Sequence, residues 1–200
     1  MAISQTTLKD TVLMLVDAQN AHGGLLGKQF EAVVVDPAAN WPLFAEKARE
    51  LWTVGKVSVI FGCWTSVSRK SVLPVIKELN GLLSYPVQYE GQQSSKNVFY
   101  TGAAPNQQAI PAVDYYLKEL GIEKFALLGT DHVYPRTTND ILAAHLKRKG
   151  IKQKDIFVTY TPFGQSDWAR IVSDVVALGA DGKKVGVIST INGDANIGFC

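Results

Sequence analysis

The feature of this sequence that most constrains its fold is the alternation of short apolar runs with segments of helical periodicity. In the C-terminal part, apolar runs at residues 124–128, 156–160 and 185–189 are separated by segments whose apolar residues recur every three or four positions. The first pattern is typical of buried strands and the second of amphipathic helices. Strands that alternate with helices in this way form parallel sheets with right-handed crossovers, so we predict an α/β fold.

The N-terminal part repeats this rhythm with shorter apolar runs. We predict strands at residues 31–35, 57–61, 82–85 and 98–101, the second of them buried on both faces because it is continuously apolar. Helices are predicted around the apolar stripes that contain Leu8, Ala48, Val72, Val113, Leu142 and Ile171. Pro74 either bends the third of these helices or marks its true start.

We predict two Rossmann-like lobes, each with its own parallel sheet. Their boundary is placed near Gly121, which gives a first lobe at residues 1–121 and a second lobe at residues 122–200. The first lobe is expected to lack its first strand, because a helical pattern stands where this architecture requires a strand. The second lobe is expected to be truncated, because the sequence ends about one turn into a further predicted helix. The predicted fold is therefore incomplete at both ends.

Composition and charge exclude several kinds of partner. The 20 Lys and Arg residues and the 18 Asp and Glu residues are interspersed and give a net charge of +2, so a nucleic-acid partner is not expected. No apolar run reaches the roughly 18 residues that a membrane-spanning helix needs, so direct membrane insertion is not expected either. The sequence as given carries no signal-peptide pattern.

The sequence also carries no pattern of metal-binding or cofactor-binding residues. His22, His132 and His145 have no ligand spacing to one another or to cysteine, and no glycine-rich phosphate loop is present. Cys63 and Cys200 are too few for a disulfide framework, and we expect both to be free, buried thiols. We therefore expect no metal and no cofactor.

Polar and aromatic side chains follow several predicted strands at the point where each strand ends. In an open α/β sheet this edge is where ligands bind. The candidate ligand-binding residues are Trp64, Thr65, Ser66, Tyr85 and Gln88 in the first lobe, and Asp131, His132, Tyr134, Asn192 and Asp194 in the second. Their residue types predict a small polar pocket and no set of catalytic groups.

Four blocks of this sequence resemble the substrate-binding proteins of urea-type ABC transporters. The blocks lie at residues 62–70, 85–91, 100–108 and 134–139, and they begin with GCWTS, YPVQYEG, YTGAAPNQQ and YPR. In weaker form, the same blocks are similar to those of the amide-sensing regulators of aliphatic amidase operons. The resemblance extends over essentially the whole chain.

The resemblance implies a type I periplasmic-binding-protein fold, in which two lobes close on a ligand. It also implies that urea or a short-chain amide is captured between the lobes outside the cytoplasm and delivered to the permease subunits of an ABC transporter. His132 stands where members of this family usually carry tyrosine, and this difference bears on the choice of substrate.

The candidate residues suit a small, planar and neutral ligand. Urea offers one carbonyl acceptor and several N–H donors, so its site needs flat walls, a few donors and several acceptors. Trp64 and Tyr85 are expected to form exposed flat walls. Gln88 and Glu90 either accept hydrogen bonds from the ligand N–H groups or bond only the backbone of their own loop. Which acceptor would distinguish urea from acetamide is left open by the sequence.

Some candidate residues have a purely structural alternative. Ser66 holds the ligand carbonyl group, or Ser66 or Ser68 only caps the following helix, and the two roles are compatible. Asp131 either contacts the ligand or caps the helix that follows it. Tyr134 is the stronger candidate from the second lobe, because the resemblance and the topology agree on it. Trp64 and Tyr134 are expected to hold opposite sides of the ligand, so that binding favours closure of the lobes.

Two alternative functions stay open. One is a cytoplasmic amide-sensing regulator of an amidase operon, which an upstream signal peptide would distinguish from a transport protein. The other is an amide hydrolase, because Cys63, Lys70 and Glu90 are the residue types of a nitrilase-like site. Their order along the chain is wrong for that family, and no general base lies in a recognisable motif. We therefore expect a binding protein and not an enzyme.

Overall fold

The computed structural model describes residues 2–199 of the 200-residue chain, and the side chains of residues 5–199. Within this range the chain forms two compact units. The first unit contains Ala2–Val87 and Gln93–Gly102, and the second contains Gln88–Gln92 and the residues from Ala103 onward. The predicted lobe boundary near Gly121 stays a prediction. Cys200, predicted to be a free buried thiol, lies outside the described residues.

The first unit contains a three-stranded parallel sheet whose strands lie side by side in the order of the sequence. Its strands are β1 (Ile60–Phe61), β2 (Leu83–Tyr85) and β3 (Val98–Tyr100), and its helices are α1 (Ala2–Ala21), α2 (Trp41–Thr53) and α3 (Ser66–Glu78). Helices α2 and α3 pack on each other. The buried apolar side chains of these two helices are Ala48, Leu51, Val72, Val75 and Ile76.

The sequence just before α2 and α3 explains where both helices begin. Asn40 caps α2 by accepting a hydrogen bond from a backbone N–H of the first turn, and a proline occupies that turn. Thr65 caps α3, since its Oγ1 accepts from the backbone N–H of Ser68 at 3.1 Å. The predicted caps at Ser66 or Ser68 are therefore wrong, because both residues lie inside the helix. Pro74 also lies inside α3 and does not mark its start.

Two predicted strands of the first unit differ from the structure. Residues 31–35 form no strand, and Val33 and Val34 are 50% and 55% exposed. A β-branched run is suited to a strand, but the strand forms only where a neighbouring backbone completes its hydrogen bonds. Residues 31–35 pair with none of the described strands. The strand predicted at residues 57–61 is reduced to the two residues of β1.

The sheet of the first unit is buried on one face only. Leu83 and Val98 are register partners on the buried face. On the other face, Phe61 pairs with Ser84 and Ser84 pairs with Phe99, so these three residues form one row across the sheet. Both phenylalanines are more than half exposed. The expectation of a first-unit strand buried on both faces is therefore wrong.

The second unit contains a three-stranded parallel sheet, and the first of its strands in the sequence lies in the middle, between the other two. Its strands are β4 (Lys124–Thr130), β5 (Ile156–Thr161) and β6 (Val185–Thr190). Its helices are α4 (Ala109–Lys118), α5 (Val133–Arg148), α6 (Ala169–Leu178) and α7 (Ala195–Phe199), with a 3-10 turn at Gln153–Asp155. These elements confirm the predicted alternation of strands and helices and the predicted α/β fold with parallel sheets.

Apolar layers cover both faces of the second sheet. All seven residues of the central strand β4 are buried. The core on one face is formed by Val113, Phe125, Leu127, Leu142, Leu146 and Ile156. The core on the other face is formed by Ala126, Leu128, Trp168, Ile191 and Ala195. Helix α4 contributes Val113 to the first of these two cores, so α4 belongs with the second sheet. Among residues 2–199, none of the helices combines the length and the apolar character needed to span a bilayer.

A charged cluster lies at the amino-terminal end of the second sheet. Nζ of Lys124 donates to the carbonyl oxygen of Leu178 at 2.8 Å. The same ammonium group lies 2.8 Å from Oδ2 of Asp181 and 3.8 Å from Oδ1 of Asp155. Lys124 is only 8% exposed, so one cation links the start of β4 to the end of α6 and to the turn before β5.

A second polar contact joins α4 to α5. Oδ1 of Asp114 accepts a hydrogen bond from Nε2 of His145 at 2.9 Å and lies 3.3 Å from Nζ of Lys149. The hydrogen bond from His145 is the largest cause that lowers the pKa of the Asp114 carboxyl group. The contact therefore fixes the two helices on the same face of the second sheet.

Candidate functional site

The first turn of α5 lies against the carboxyl end of the second sheet because position 129 carries no side chain. A Cβ built on Gly129 would lie 2.6 Å from Cβ of Pro135 and 2.6 Å from Oγ1 of Thr190. Only glycine allows helix and sheet to approach this closely without displacement. The residues between β4 and α5 are consequently held at the edge where ligands of α/β proteins bind.

His132 is fixed at this edge by two contacts. Its backbone is the extended residue before α5, but its side chain does not cap the helix. Nε2 of His132 lies 2.7 Å from Oδ1 of Asn192, and the imidazole stacks on Phe163 with ring centroids 5.0 Å apart and planes 21° apart. The backbone N–H of Asn192 donates to Oγ1 of Thr130 at 2.8 Å. Asn192, which contacts His132, is therefore itself anchored at the end of β4.

Tyr134 and the segment Gln88–Gln92 lie at the same edge of the second unit. The Gln88 side chain lies close to the Tyr134 hydroxyl group and acts to lower its pKa. Burial is the largest effect on the Tyr134 hydroxyl group and raises its pKa. The carboxyl group of Glu90, which is 2% exposed, acts electrostatically on both Tyr134 and His132. The structure therefore brings together four of the candidate residues, namely Gln88, His132, Tyr134 and Asn192.

Asp131 does not cap the helix, and its contact with a ligand stays a prediction. Its Oδ1 accepts a hydrogen bond from Nε of Arg136 at 2.6 Å, and this bond lowers the pKa of the Asp131 carboxyl group. The Arg136 guanidinium carbon also lies 4.5 Å from the centre of the Tyr160 ring. Asp131 thus pairs with a cation on the first turn of α5 and is not a helix cap. Asp194 is exposed in the turn before α7.

A second polar group lies at the start of α3 in the first unit. Arg69 is fully buried, and its Nη1 donates to Oγ of Ser66 at 3.1 Å while its Nε donates to Oε1 of Gln93 at 2.9 Å. The guanidinium carbon lies 4.6 Å from the ring centre of Tyr85 and 5.6 Å from that of Tyr100. Arg69 therefore organises the side chains at the carboxyl end of the first sheet.

The exposed position expected for Tyr85 is wrong. Its side chain is fully buried beneath Arg69, and its hydroxyl group donates to the carbonyl oxygen of Trp64 at 3.0 Å. Trp64 itself is half-buried, and Thr65 and Ser66 are buried. Ser66 accepts from Arg69, so its hydroxyl group is part of the helix start. Whether these four residues contact a ligand stays a prediction.

Cys63 does not have the properties of a catalytic thiolate. It is a free cysteine whose backbone adopts a left-handed conformation with φ of 65°. Burial raises the pKa of its thiol to about 12, although Arg69 opposes this effect. A thiol with that pKa stays protonated at neutral pH and is a poor nucleophile. The nitrilase-like arrangement of Cys63, Lys70 and Glu90 therefore gains no support.

Two functional candidates are absent from the sequence-based set of site residues. Phe163 follows β5 by two residues, so the rule that placed the other candidates at strand ends also applies to it. Arg69 lies inside α3, where the usual expectation for arginine is an exposed position, and no sequence signal marks it as buried. Among the described residues, no group of histidine, cysteine, aspartate and glutamate side chains could hold a metal ion.

The chain has parallel sheets, and polar side chains gather at the carboxyl ends of their strands. These features place it in the α/β class of proteins, whose ligands bind at that edge of the sheet. Within this class the chain belongs to one family. Residues 1–200 match the periplasmic binding protein domain.

Solved structures of substrate-binding proteins share this fold. The branched-chain amino acid transporter substrate-binding protein LivJ from Streptococcus pneumoniae, in complex with isoleucine, is 20% identical with a TM-score of 0.73, and the match covers 91% of this chain and 51% of that one. A solute-binding protein from R. palustris, in complex with 4-hydroxybenzoate, is also 20% identical with a TM-score of 0.73, over 86% of this chain and 47% of that one.

A substrate-binding periplasmic protein from Ralstonia solanacearum also has a similar structure. It is 13% identical with a TM-score of 0.79, and the match covers 94% of this chain and 59% of that one. The chain thus spans about half the length of the structures it matches. At these identities the likeness shows the fold alone.

Proposed function

We propose that this protein is the solute-binding component of an ABC transporter and that it captures urea or a short-chain amide outside the cytoplasm for delivery to the permease. The observation that carries the proposal is the group of side chains at the carboxyl end of the second sheet. His132, Tyr134 and Asn192 lie there together, with the Gln88 side chain close to the Tyr134 hydroxyl group. Imidazole, phenol and amide groups offer the mixture of donors, acceptors and flat surfaces that a small planar amide needs.

The charges around this group favour a neutral ligand over a carboxylate. A bound carboxylate is best stabilised by a cation, and Arg is the residue that binds it most specifically. The guanidinium group of Arg136 already binds the Asp131 carboxylate, which leaves it paired. This pairing supports urea or an amide over isoleucine and 4-hydroxybenzoate, the ligands of two compared proteins.

The first-unit residues Trp64, Thr65, Ser66 and Tyr85 are proposed to complete the ligand contacts, together with Asp194 of the second unit. Contact of one ligand with residues of both units would give it different affinities for open and closed arrangements. Small-angle scattering with and without ligand tests this part of the proposal. An unchanged radius of gyration on ligand addition would contradict it.

Calorimetric titration with urea, acetamide, isoleucine and 4-hydroxybenzoate tests the ligand class. We expect binding of urea or acetamide without release of ammonia. Tyr134→Ala should weaken this binding about tenfold or more, because a buried polar partner is lost. Lys154→Ala is the matched control, since this exposed residue lies in the turn before β5, at the opposite end of the sheet. Binding of isoleucine alone would refute the amide assignment and leave the fold intact.

A cytoplasmic amide-sensing regulator would bind the same ligands, so location distinguishes it from a transport protein. We expect the protein in the fraction released by osmotic shock and a loss of urea uptake when its gene is deleted. Retention in the cytoplasmic fraction, with normal uptake, would favour the regulator.

A further inference from the structure

Asn192 determines which ring nitrogen of His132 carries the proton. Nε2 of His132 lies 2.7 Å from Oδ1 of Asn192. An amide oxygen only accepts hydrogen bonds, so Nε2 must carry the proton and donate it. The backbone of Asn192 is anchored on Thr130. The tautomer of His132 is thus set by a contact that the fold holds in place.

Nδ1 of His132 is then the acceptor nitrogen of the neutral ring. Nδ1 is buried and has no hydrogen-bond partner among the side chains and backbone of the described chain. The stack on Phe163 fixes the plane of the ring, and the contact of Nε2 with Asn192 fixes its rotation in that plane, so Nδ1 cannot turn toward another residue while both persist. Buried acceptors without partners are rare because each is destabilising, and those that occur in native structures call for an explanation.

We propose that His132 is a specificity-determining residue of the site: Nδ1 accepts a hydrogen bond from an N–H of the ligand, and Asn192 is the positioning residue that makes Nδ1 an acceptor. This proposal rests on the function proposed above and assigns one acceptor for a ligand N–H group. A ligand that presents only an oxygen acceptor at this point leaves Nδ1 unpaired. Urea and short amides present an N–H there and pair with it.

The same arrangement makes ligand affinity depend on pH. Protonation of the ring turns Nδ1 from an acceptor into a donor, and the ligand N–H then loses its partner. The groups that face the ring are Phe163, Tyr134, Asn192 and the carboxyl groups of Glu90 and Asp131. Burial is the largest effect and lowers the pKa of His132 below 6.5, although Asn192, Glu90 and Asp131 oppose it. Affinity should stay constant above that pH and fall as the pH drops through the lowered pKa.

Nitrogen NMR of histidine-labelled protein reads the tautomer directly. The His132 signals are assigned by their loss in His132→Phe. At a pH above the ring pKa we expect Nε2 to give the signal of a protonated nitrogen and Nδ1 that of an unprotonated one. Saturating urea or acetamide should move the Nδ1 resonance and leave the Nε2 resonance nearly unchanged. Asn192→Ala should give a mixture of tautomers, which a merely structural role for Asn192 does not predict.

Calorimetric titration of the variants with urea measures how much the His132 ring nitrogens contribute to the affinity. His132→Phe keeps a flat ring on Phe163 and removes both nitrogens, so the affinity for urea should fall roughly fivefold to a hundredfold while the fold persists. Lys154→Ala should bind as the unmodified protein does.

The proposal is overturned if the proton is on Nδ1 in the free protein, if bound urea leaves the Nδ1 resonance in place, or if His132→Phe binds urea as tightly as the unmodified protein. Binding of isoleucine in place of urea would refute the proposed ligand class but not this inference. In that case a shift of Nδ1 on addition of isoleucine supports the acceptor role, and an unmoved Nδ1 overturns it.

Discussion

Replacing Gly129 by alanine is expected to destabilise the second unit and to displace the start of α5. The added Cβ would lie 2.6 Å from Cβ of Pro135 and from Oγ1 of Thr190, whereas ordinary contacts begin at 3.4 Å, so each neighbour must move by about 0.8 Å. Pro135 is a rigid ring in the first turn of α5. Thr190 cannot move freely either, because its hydroxyl group is hydrogen-bonded to the carbonyl oxygen of Leu128 and to Asn139.

Overpacking of this kind lowers the free energy of unfolding by about 1–3 kcal/mol. For a chain of this length that change lowers the melting temperature by roughly 2–12 °C, which differential scanning calorimetry resolves. Gly62→Ala is the matched control, because a Cβ at Gly62 meets its nearest neighbour only at 3.9 Å. It should change stability by less than about 0.5 kcal/mol. Equal melting temperatures for Gly129→Ala and Gly62→Ala would refute the close-approach argument.

Three further predictions concern charges and thiols outside the ligand group. Lys124→Met should lower the urea midpoint of unfolding by the equivalent of roughly 2–4 kcal/mol, because two aspartates lose a largely buried cation; an unchanged midpoint would contradict this. Asp114→Asn should destabilise the protein at neutral pH. The stabilities of the variant and the unmodified protein should converge as the pH falls below 3.8 through the lowered pKa of Asp114, because the carboxylate that accepts from His145 is then protonated. Parallel stability curves at all pH values would exclude the contact as the cause. In a Cys200→Ser background, Cys63 should react with iodoacetamide only after denaturation, since the pKa of its thiol is about 12; rapid alkylation of the native protein would show that this thiol is activated.

The second sheet is predictable from the sequence because its signal is local and repeated. Each of its strands is an apolar run that ends at a change of composition, and β4 is buried at all seven positions. The first sheet is harder to predict because pairing depends on a neighbouring backbone that the run itself does not specify. Residues 31–35 have the composition of a strand and lack a partner among the described strands, so composition alone misleads there.

The positions of the candidate site are predictable from topology, but the partners of its side chains are not. The ends of parallel strands converge whatever the sequence, which is why His132 and Asn192 could be placed at one edge. That these two residues form a hydrogen bond across 60 positions of sequence is a property of the folded backbone. Arg69 shows the converse limit. A charged residue at a helix position usually indicates solvent exposure. Arg69 is buried, because the rings of Tyr85 and Tyr100 stabilise its guanidinium group in the interior.

Strand β4 is hydrogen-bonded on both sides, to β5 and to β6, and its side chains are buried along its full length. Its amide protons are therefore reached by solvent only when the second sheet opens as a whole, and they should be among the slowest of the chain to exchange with deuterium. His132 follows this strand after a single intervening residue. A ligand that meets the imidazole thus encounters a surface supported by the least fluctuating part of the backbone. Because that backbone is already ordered before the ligand binds, it loses little conformational entropy on binding. The entropy lost on association should therefore come mainly from the ligand and from the loops around it.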